Sequence, residues 1–177
     1  MHIIKLNAID STNSYLKELS AKQTVANFTV VVAENQTNGR GQRGENWEVE
    51  KGKNLTFSVL IKDVLVSAEE VFNLNVLVVV SLFQTFLNLK IENLAIKWAN
   101  DILADKKKIC GILIENQFKS TSEILSIVGI GINVNQENFI NLPQATSLKK
   151  CSNQEFNKDE ILMLFLNQFQ IEKTLLF

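Results

Sequence analysis

Histidine is almost missing, since the chain of 177 residues holds only His2. A protein kinase, whose catalytic loop is His-Arg-Asp, is thereby excluded. Cysteine is nearly as scarce. Cys110 and Cys151 stand far apart, with no CxxC pairing and no neighbouring histidine, which speaks against a zinc site or a disulfide scaffold and makes a reducing cytoplasm the expected compartment. Positive charge is not in excess either. With 18 Lys and Arg against 19 Asp and Glu, a net charge of −1 and a pI near 5.9, the chain lacks the electrostatic footprint of a duplex DNA binder. The first residues, Met-His-Ile-Ile-Lys-Leu-Asn, carry neither a basic segment nor a cleavage site, so no secretory signal is expected. No apolar run reaches the ~18 uninterrupted residues of a spanning helix. The most apolar segment, Val71 to Leu89, is broken by Asn73, Asn75, Gln84 and Asn88 and reads as a buried helix. One proline, Pro143, and no low-complexity linker or internal repeat leave a single domain over 1–177, large enough for a real core.

Glycine is scarce too, and its placement is uneven. Three of the seven glycines and both arginines fall within Gly39, Arg40, Gly41, Gln42, Arg43 and Gly44. The spacing meets the dinucleotide template G-x-G-x-x-G, but that fingerprint requires a helix directly after the glycines. Here Glu45, Asn46, Trp47 and a polar run to Lys53 follow, and then Asn-Leu-Thr-Phe-Ser-Val-Leu-Ile at 54–61 alternates as a strand. With the β-branched Thr-Val-Val-Val-Ala at 29–33 ahead of it, the stretch reads as a mobile, cationic, glycine-rich loop between strands, suited to closing over an anion. A solvated hairpin loop is the plainer alternative.

Elsewhere the pattern predicts a strand at Ile3–Leu6, a helix over Thr12–Ala21 behind cap-forming Asp-Ser-Thr-Asn, and a core helix over 67–89 opened by a Ser67/Glu70 capping box. Strands follow at Leu94–Trp98, Ile102–Leu103, Lys108–Glu115 and Ile124–Val134, with short polar turns that imply antiparallel neighbours. A last amphipathic helix runs from Asn157 to about Lys173, with Asn157 and Glu160 in capping positions. The fold class expected is α+β, a mixed and mostly antiparallel sheet covered by helices.

Gly111, Gly129 and Gly131 lie inside strands, where glycine marks either close packing or a ligand approaching the backbone. Lys97 projects from the strand face opposite Leu94, Ile96 and Trp98, where an ammonium either holds a phosphate or carboxylate or simply meets solvent. Ser11, Thr12 and Asn13 are helix-capping or ligand-bonding groups. Asn133 is a turn former or a ligand contact.

Taken in order, Ser-Thr-Asn at 11–13, Glu-Asn-Gln at 34–36, Gly-Arg-Gly-Gln-Arg-Gly at 39–44 with Trp47, Lys-Trp-x-Asn-Asp at 97–101, Lys-Ile-Cys-Gly-Ile-Leu-Ile-Glu at 108–115 and Val-Gly-Ile-Gly-Ile-Asn-Val at 128–134 resemble the biotin protein ligase family along essentially the whole chain. Ala-Thr-Ser-Leu at 145–148 and the final helix resemble it too. The resemblance implies a class II synthetase-like catalytic domain of the biotin/lipoate ligase type, an ATP-dependent enzyme of the cytoplasm. Biotin's carboxylate attacks the α-phosphate of ATP with Mg²⁺ present, and biotinyl-AMP then passes biotin to a lysine of a biotin carboxyl carrier protein domain. It implies Lys97 and Arg40 as catalytic cations. Ser11, Thr12, Asn13, Gln36, Gly39, Arg40, Gly41, Gln42, Lys97 and Gly111 would be the biotin-binding set. Arg40, Arg43, Trp47, Lys97, Gly131 and Asn133 would be the ATP-binding set, with no protein metal site. The expected partners exclude DNA and membrane and leave room for a homodimer.

Departures from the family pattern stand at Gln42, where an arginine is common, at Glu45, where a basic residue is common nearby, and at Ala99, where a proline is common. The resemblance further implies a catalytic domain without the N-terminal winged helix and C-terminal β domain of many members. A lipoate-protein ligase and a non-catalytic biotin- or adenylate-binding relic are the alternatives.

Overall fold

The computed structural model describes residues 2–62, 68–118 and 124–176. Seven strands and four helices follow one another as β1 (His2–Leu6), α1 (Thr12–Lys22), β2 (Thr29–Ala33), β3 (Leu55–Ile61), α2 (Ala68–Asn88), β4 (Leu94–Lys97), β5 (Asp101–Ala104), β6 (Lys107–Phe118), β7 (Ile124–Ile132), α3 (Leu148–Ser152) and α4 (Lys158–Leu176). The strands form one mixed sheet in the order β1-β2-β3-β7-β6-β5-β4. Its α+β class is the one the sequence predicts. Every residue of β2, β3 and β7 is buried, which is why β2 reads as a continuous β-branched run rather than as an alternating one. Ser67 of the expected capping box lies outside the described residues.

The chain divides into two compact units, one of Met1–Val71 with Ile112–Gly131 and the other of Phe72–Gly111 with Ile132–Phe177. In the first, β1 pairs with β2 in parallel, His2 opposite Thr29 and Leu6 opposite Ala33. Parallel neighbours require a crossover, and α1 supplies it. Ser11 caps α1 by accepting from the Ser14 amide. The helix sets Leu16 into a cluster with Val25, Val31, Leu60, Leu125 and Ile127. β2 then pairs antiparallel with β3, Val30 opposite Val59.

In the second unit, β4 pairs antiparallel with β5, and β5 with β6. The β5–β6 turn is two residues long, and both Asp105 (φ 48) and Lys106 (φ 63) adopt left-handed backbone. That is the I′ geometry whose twist matches the flanking strands. β4 is an edge strand, and the face shared by Leu94, Ile96 and Trp98 is half exposed. Ile96 is 44% and Trp98 56% exposed, and the Trp98 ring instead meets Phe72, centroids 5.6 Å apart.

Within α2, Glu70–Asn88 is long and apolar enough to cross a membrane by length and composition alone. Leu74, Leu77, Val78, Leu82 and Phe86 are buried, as the sequence reading expects. Ser81 and Thr85 are buried with them and return their hydroxyl protons to the Leu77 and Ser81 carbonyls, each at 2.7 Å. α3 was not legible as a helix. Its cap, Ser147, accepts from the Lys150 amide and donates to the Gln136 carbonyl at 2.6 Å. α4 opens on Asn157, whose side chain accepts from the amides of Asp159 and Glu160.

Candidate active site

The first unit gathers most of the residues singled out in the sequence. After β2 the chain stays pinned beside the start of α1. Ile9 and Gln36 form an isolated parallel bridge, and the Thr37 and Asn38 amides donate to the Ile9 and Asp10 carbonyls at 2.9 and 3.0 Å. This places the Gln36 amide at the helix N-terminus, where its Oε1 accepts from the Thr12 backbone N–H at 2.8 Å and lies 3.0 Å from the Thr12 hydroxyl.

A buried polar row continues from there. Ser58 Oγ on β3 lies 2.7 Å from Thr12 Oγ1 and 2.5 Å from Asn13 Oδ1. Hydrogen counting fixes its direction. Asn13 Oδ1 can only accept, so the single Ser58 proton goes to it and the Thr12 hydroxyl donates to Ser58. The other end of the Asn13 amide, Nδ2, donates to Glu115 Oε2 at 2.8 Å and reaches the Leu113 carbonyl at 3.3 Å. Glu115 Oε2 also takes the guanidinium of Arg40, Nη2 at 2.9 Å. Thr12, Asn13 and Ser58 are buried, whereas the Arg40 side chain is 40% exposed. The row therefore runs from a dry interior to a cation at the surface.

The glycine stretch is a tight hairpin. Arg40 bridges Asn46, the Trp47 amide donates to the Gly39 carbonyl at 2.9 Å, and the Gly41 amide to the Glu45 carbonyl at 2.6 Å. Gly39 has to be glycine, because a Cβ there would lie 2.5 Å from the Trp47 carbonyl oxygen. Gln42 and Arg43 sit in the short 3-10 turn Gln42–Gly44, and Arg43 is exposed. The strand glycines are filled by protein. A Cβ on Gly129 would lie 2.4 Å from Asn13 Oδ1, and one on Gly131 would lie 2.3 Å from Trp47 Cε2. Of the two sequence readings of strand glycine, close packing describes these positions.

The second unit holds the remaining candidates. Lys97 ends β4 with its side chain 69% exposed and its Nζ 3.7 Å from Asp101. Asp101 is buried, and Lys108 approaches the same carboxylate at 2.7 Å. Gly111 pairs with Asp101 across the β5–β6 ladder. Asn133 is buried: its amide donates to the Ile109 carbonyl at 2.8 Å and its Nδ2 to the Lys108 carbonyl at 3.4 Å. The Ala145–Leu148 motif is pinned to the start of β6, Lys108 to Gln144 at 2.8 Å and Thr146 to Lys108 at 2.9 Å, which gives it a structural role. Burial raises the Cys110 thiol far above its ordinary range, with Lys108 opposing and Asp101 adding to the effect. The thiol is consequently no nucleophile. Among the described residues no three His, Cys, Asp or Glu side chains cluster as a metal site would require.

Sequence reasoning missed Ser58, Glu115, Asp101 and Lys108. Asp101, Lys108 and Glu115 lie inside the quoted motifs, and Ser58 carried only one signal, a polar residue in the middle of an apolar strand.

A mixed sheet sets a helix N-terminus, a cationic glycine hairpin and a strand carboxylate along one polar row, and these define an α+β domain with a polar candidate site. The chain belongs to the Biotin/lipoate A/B protein ligase family, whose model matches residues 6–135. A Bifunctional ligase/repressor BirA of Bacillus spizizenii is 32% identical over 174 residues, 96% of this chain and 53% of that protein. A biotin–[acetyl-CoA-carboxylase] ligase of Mycobacterium tuberculosis is 32% identical over 141 residues, 78% of this chain and 51% of that protein. Among solved structures, the biotin protein ligase of Aquifex aeolicus in complex with biotin and ATP superposes with a TM-score of 0.82 at 30% identity, covering 98% of this chain and 70% of that one. The chain spans about half the length of the curated relatives it matches.

Proposed function

We propose that the chain is the catalytic domain of a biotin protein ligase, an ATP-dependent enzyme acting in the cytoplasm on a biotin carboxyl carrier protein domain. The observation that carries this reading is the polar row from Gln36 through Thr12, Ser58 and Asn13 to Glu115 and Arg40. It offers fixed donors and acceptors at the buried end, as a cyclic urea needs, and a guanidinium at the exposed end, as a carboxylate needs. Ser11, Thr12, Asn13 and Gln36 would meet the ureido ring, and Arg40 the biotin carboxylate.

In the first step a carboxylate oxygen of biotin bonds to the α-phosphorus of ATP and the bond to pyrophosphate breaks. Negative charge grows on the phosphoryl oxygens, and fixed cations lower that barrier. Arg40 and Lys97 are the cations of this reading, with Lys108 added by its ion pair to the buried Asp101. Mg²⁺ would arrive with the nucleotide, since it is commonly held by phosphates and one or two carboxylates rather than by a protein cage. Asp101 is the buried carboxylate suited to meet it. In the second step the carrier lysine's neutral amine attacks the acyl carbon, and AMP leaves with the bonding electrons. No protein nucleophile is needed. The mixed anhydride has to be kept from water, and the Gly39–Trp47 hairpin is the element for that. The net charge of −1 supports a reading without DNA, a homodimer remains compatible with it, and the two units are taken as one catalytic domain.

The test is to incubate the chain with Mg²⁺, ATP and either biotin or lipoate and to identify the acyl-AMP by mass spectrometry. Biotinyl-AMP is expected, with a melting temperature raised more by biotin and ATP together than by ATP alone. Lipoyl-AMP in preference would replace the reading with the lipoate alternative, and neither adduct would overturn it in favour of a binding relic.

A further inference from the structure

Glu115 was given no role above beyond its place in the row, yet it is the point where two distant segments meet. One oxygen, Oε2, accepts from Asn13 Nδ2 at 2.8 Å and from Arg40 Nη2 at 2.9 Å. Asn13 is 3% exposed and cannot turn away. Its Oδ1 is held by Ser58 and lies against the backbone of Gly129. The carboxylate is thus fixed at its buried side and presents a stationary charge to the hairpin.

The hairpin's backbone bonds Trp47 to Gly39, Gly41 to Glu45 and Glu45 to Gln42 are local, and its far end is seated by the Trp47 ring against Gly131. They shape the turn without fixing where its arginine points. Arg40 has a long side chain with many rotamers, and its ion pair spans 75 positions of sequence to Glu115. A guanidinium carries five N–H donors in one plane. Engaged through Nη2 alone, it keeps the remaining donors for a second anion in that plane.

We propose that Glu115 is the positioning residue of Arg40, tethering the glycine–arginine hairpin before a ligand arrives and holding the guanidinium with its free donors ready for the anionic end of the substrate. The identity of that anion, a biotin carboxylate or its adenylate, rests on the function proposed above, whereas the tether itself does not. Removing the tether means that the arginine and its hairpin are ordered at the moment of binding. The ordering of one rotamer-rich side chain weakens affinity by about three- to tenfold. Global stability should barely move in Glu115→Gln, which keeps an acceptor for Asn13, because the lost ion pair is partly exposed and screened.

The experiment compares Glu115→Gln and Glu115→Ala, each in the wild-type chain and in an Arg40→Ala background. Glu115→Gln keeps an oxygen for Asn13 and removes the charge that holds Arg40. Two quantities are read: amide hydrogen exchange across residues 39–47 in the ligand-free protein, and the dissociation constant of a non-hydrolysable biotinyl-AMP analogue by calorimetry. Faster exchange over the hairpin and about three- to tenfold weaker binding are expected in both single variants. In the Arg40→Ala background Glu115→Gln should change affinity by less than about twofold, since the residue through which it acts is gone, whereas Glu115→Ala should keep a residual loss because Asn13 Nδ2 has also lost its carboxylate. An unchanged hairpin exchange, or an equal loss of affinity by Glu115→Gln with and without Arg40, overturns the proposal. Tighter binding by Glu115→Gln also overturns it, because Glu115 would then be a competitor of the substrate anion. A wild-type chain that binds neither biotin nor the analogue refutes the proposed function instead, and the exchange comparison still decides the tether.

Discussion

Ser58→Ala tests the direction of the polar row. Ser58 is fully buried on β3 and donates its one proton to Asn13 Oδ1 at 2.5 Å. With alanine there, Thr12 loses its acceptor on Ser58 but can redirect its hydroxyl to Gln36 Oε1, 3.0 Å away. Asn13 has no such recourse. If its amide flipped, Oδ1 would face the Leu113 carbonyl and the Glu115 carboxylate, now approached by Nδ2 at 3.3 and 2.8 Å, so an acceptor would meet two acceptors. The cost is therefore that of one buried oxygen left without a donor, about 1 to 3 kcal/mol. For a chain of this length each kcal/mol lowers the melting temperature by roughly 2 to 4 °C. The expected loss is about 2 to 12 °C, read by thermal and urea unfolding, together with weaker biotin binding because Asn13 is no longer held. Ser20→Ala is the comparison, since its hydroxyl bonds only the Lys17 carbonyl one turn back, and it should change stability by less than about 0.5 kcal/mol. A Ser58→Ala protein as stable as that control would refute both the row and its direction.

Lys97→Met should leave stability within about 0.5 kcal/mol, its ion pair being long and exposed, yet slow pyrophosphate release at least a hundredfold. Near wild-type release would remove Lys97 from the site. Lys108→Met should instead destabilise by about 2 to 3 kcal/mol in urea unfolding, because the buried Asp101 loses its 2.7 Å partner. Lys106→Gly relieves left-handed backbone in the β5–β6 turn and should stabilise by about 0.5 to 1 kcal/mol, whereas a loss would show that the lysine side chain is needed there. Burial raises the Cys110 pKa above its ordinary value of 9.0. The folded state then holds this proton where the unfolded state releases it, so stability is full below pH 9 and falls as pH rises above it, by up to about 1.4 kcal/mol per unit. Cys110→Ala should remove that part of the alkaline slope, and identical slopes would contradict the assignment.

Much of the fold was legible because its signals are local. β2 and β3 announced themselves by β-branched and alternating residues, and α1 by Ser11 ahead of its apolar face. Where the signal was short it failed. α3 is five residues long, too few to show a period, and β6 runs past its expected ends at 108 and 115 to Lys107 and Phe118. The sequence groups Leu94, Ile96 and Trp98 on one face without saying what covers it, and the structure, with β4 at the sheet's edge, leaves Ile96 and Trp98 half exposed.

By itself the sequence determined the α+β class, the order of every element but α3 and the motifs that carry the family, since caps, periods and glycine spacing act over a few residues. Tertiary structure decided which of those motif residues touch. Glu115 meets Asn13 over a separation of 102 residues and Arg40 over 75, and Ser58 joins Thr12 and Asn13 from another strand. Gly129 and Gly131 turned out to be seats for Asn13 and Trp47. Such pairings depend on strand order and register, which are settled when the whole core is buried at once and leave no trace in the spacing of neighbours along the chain.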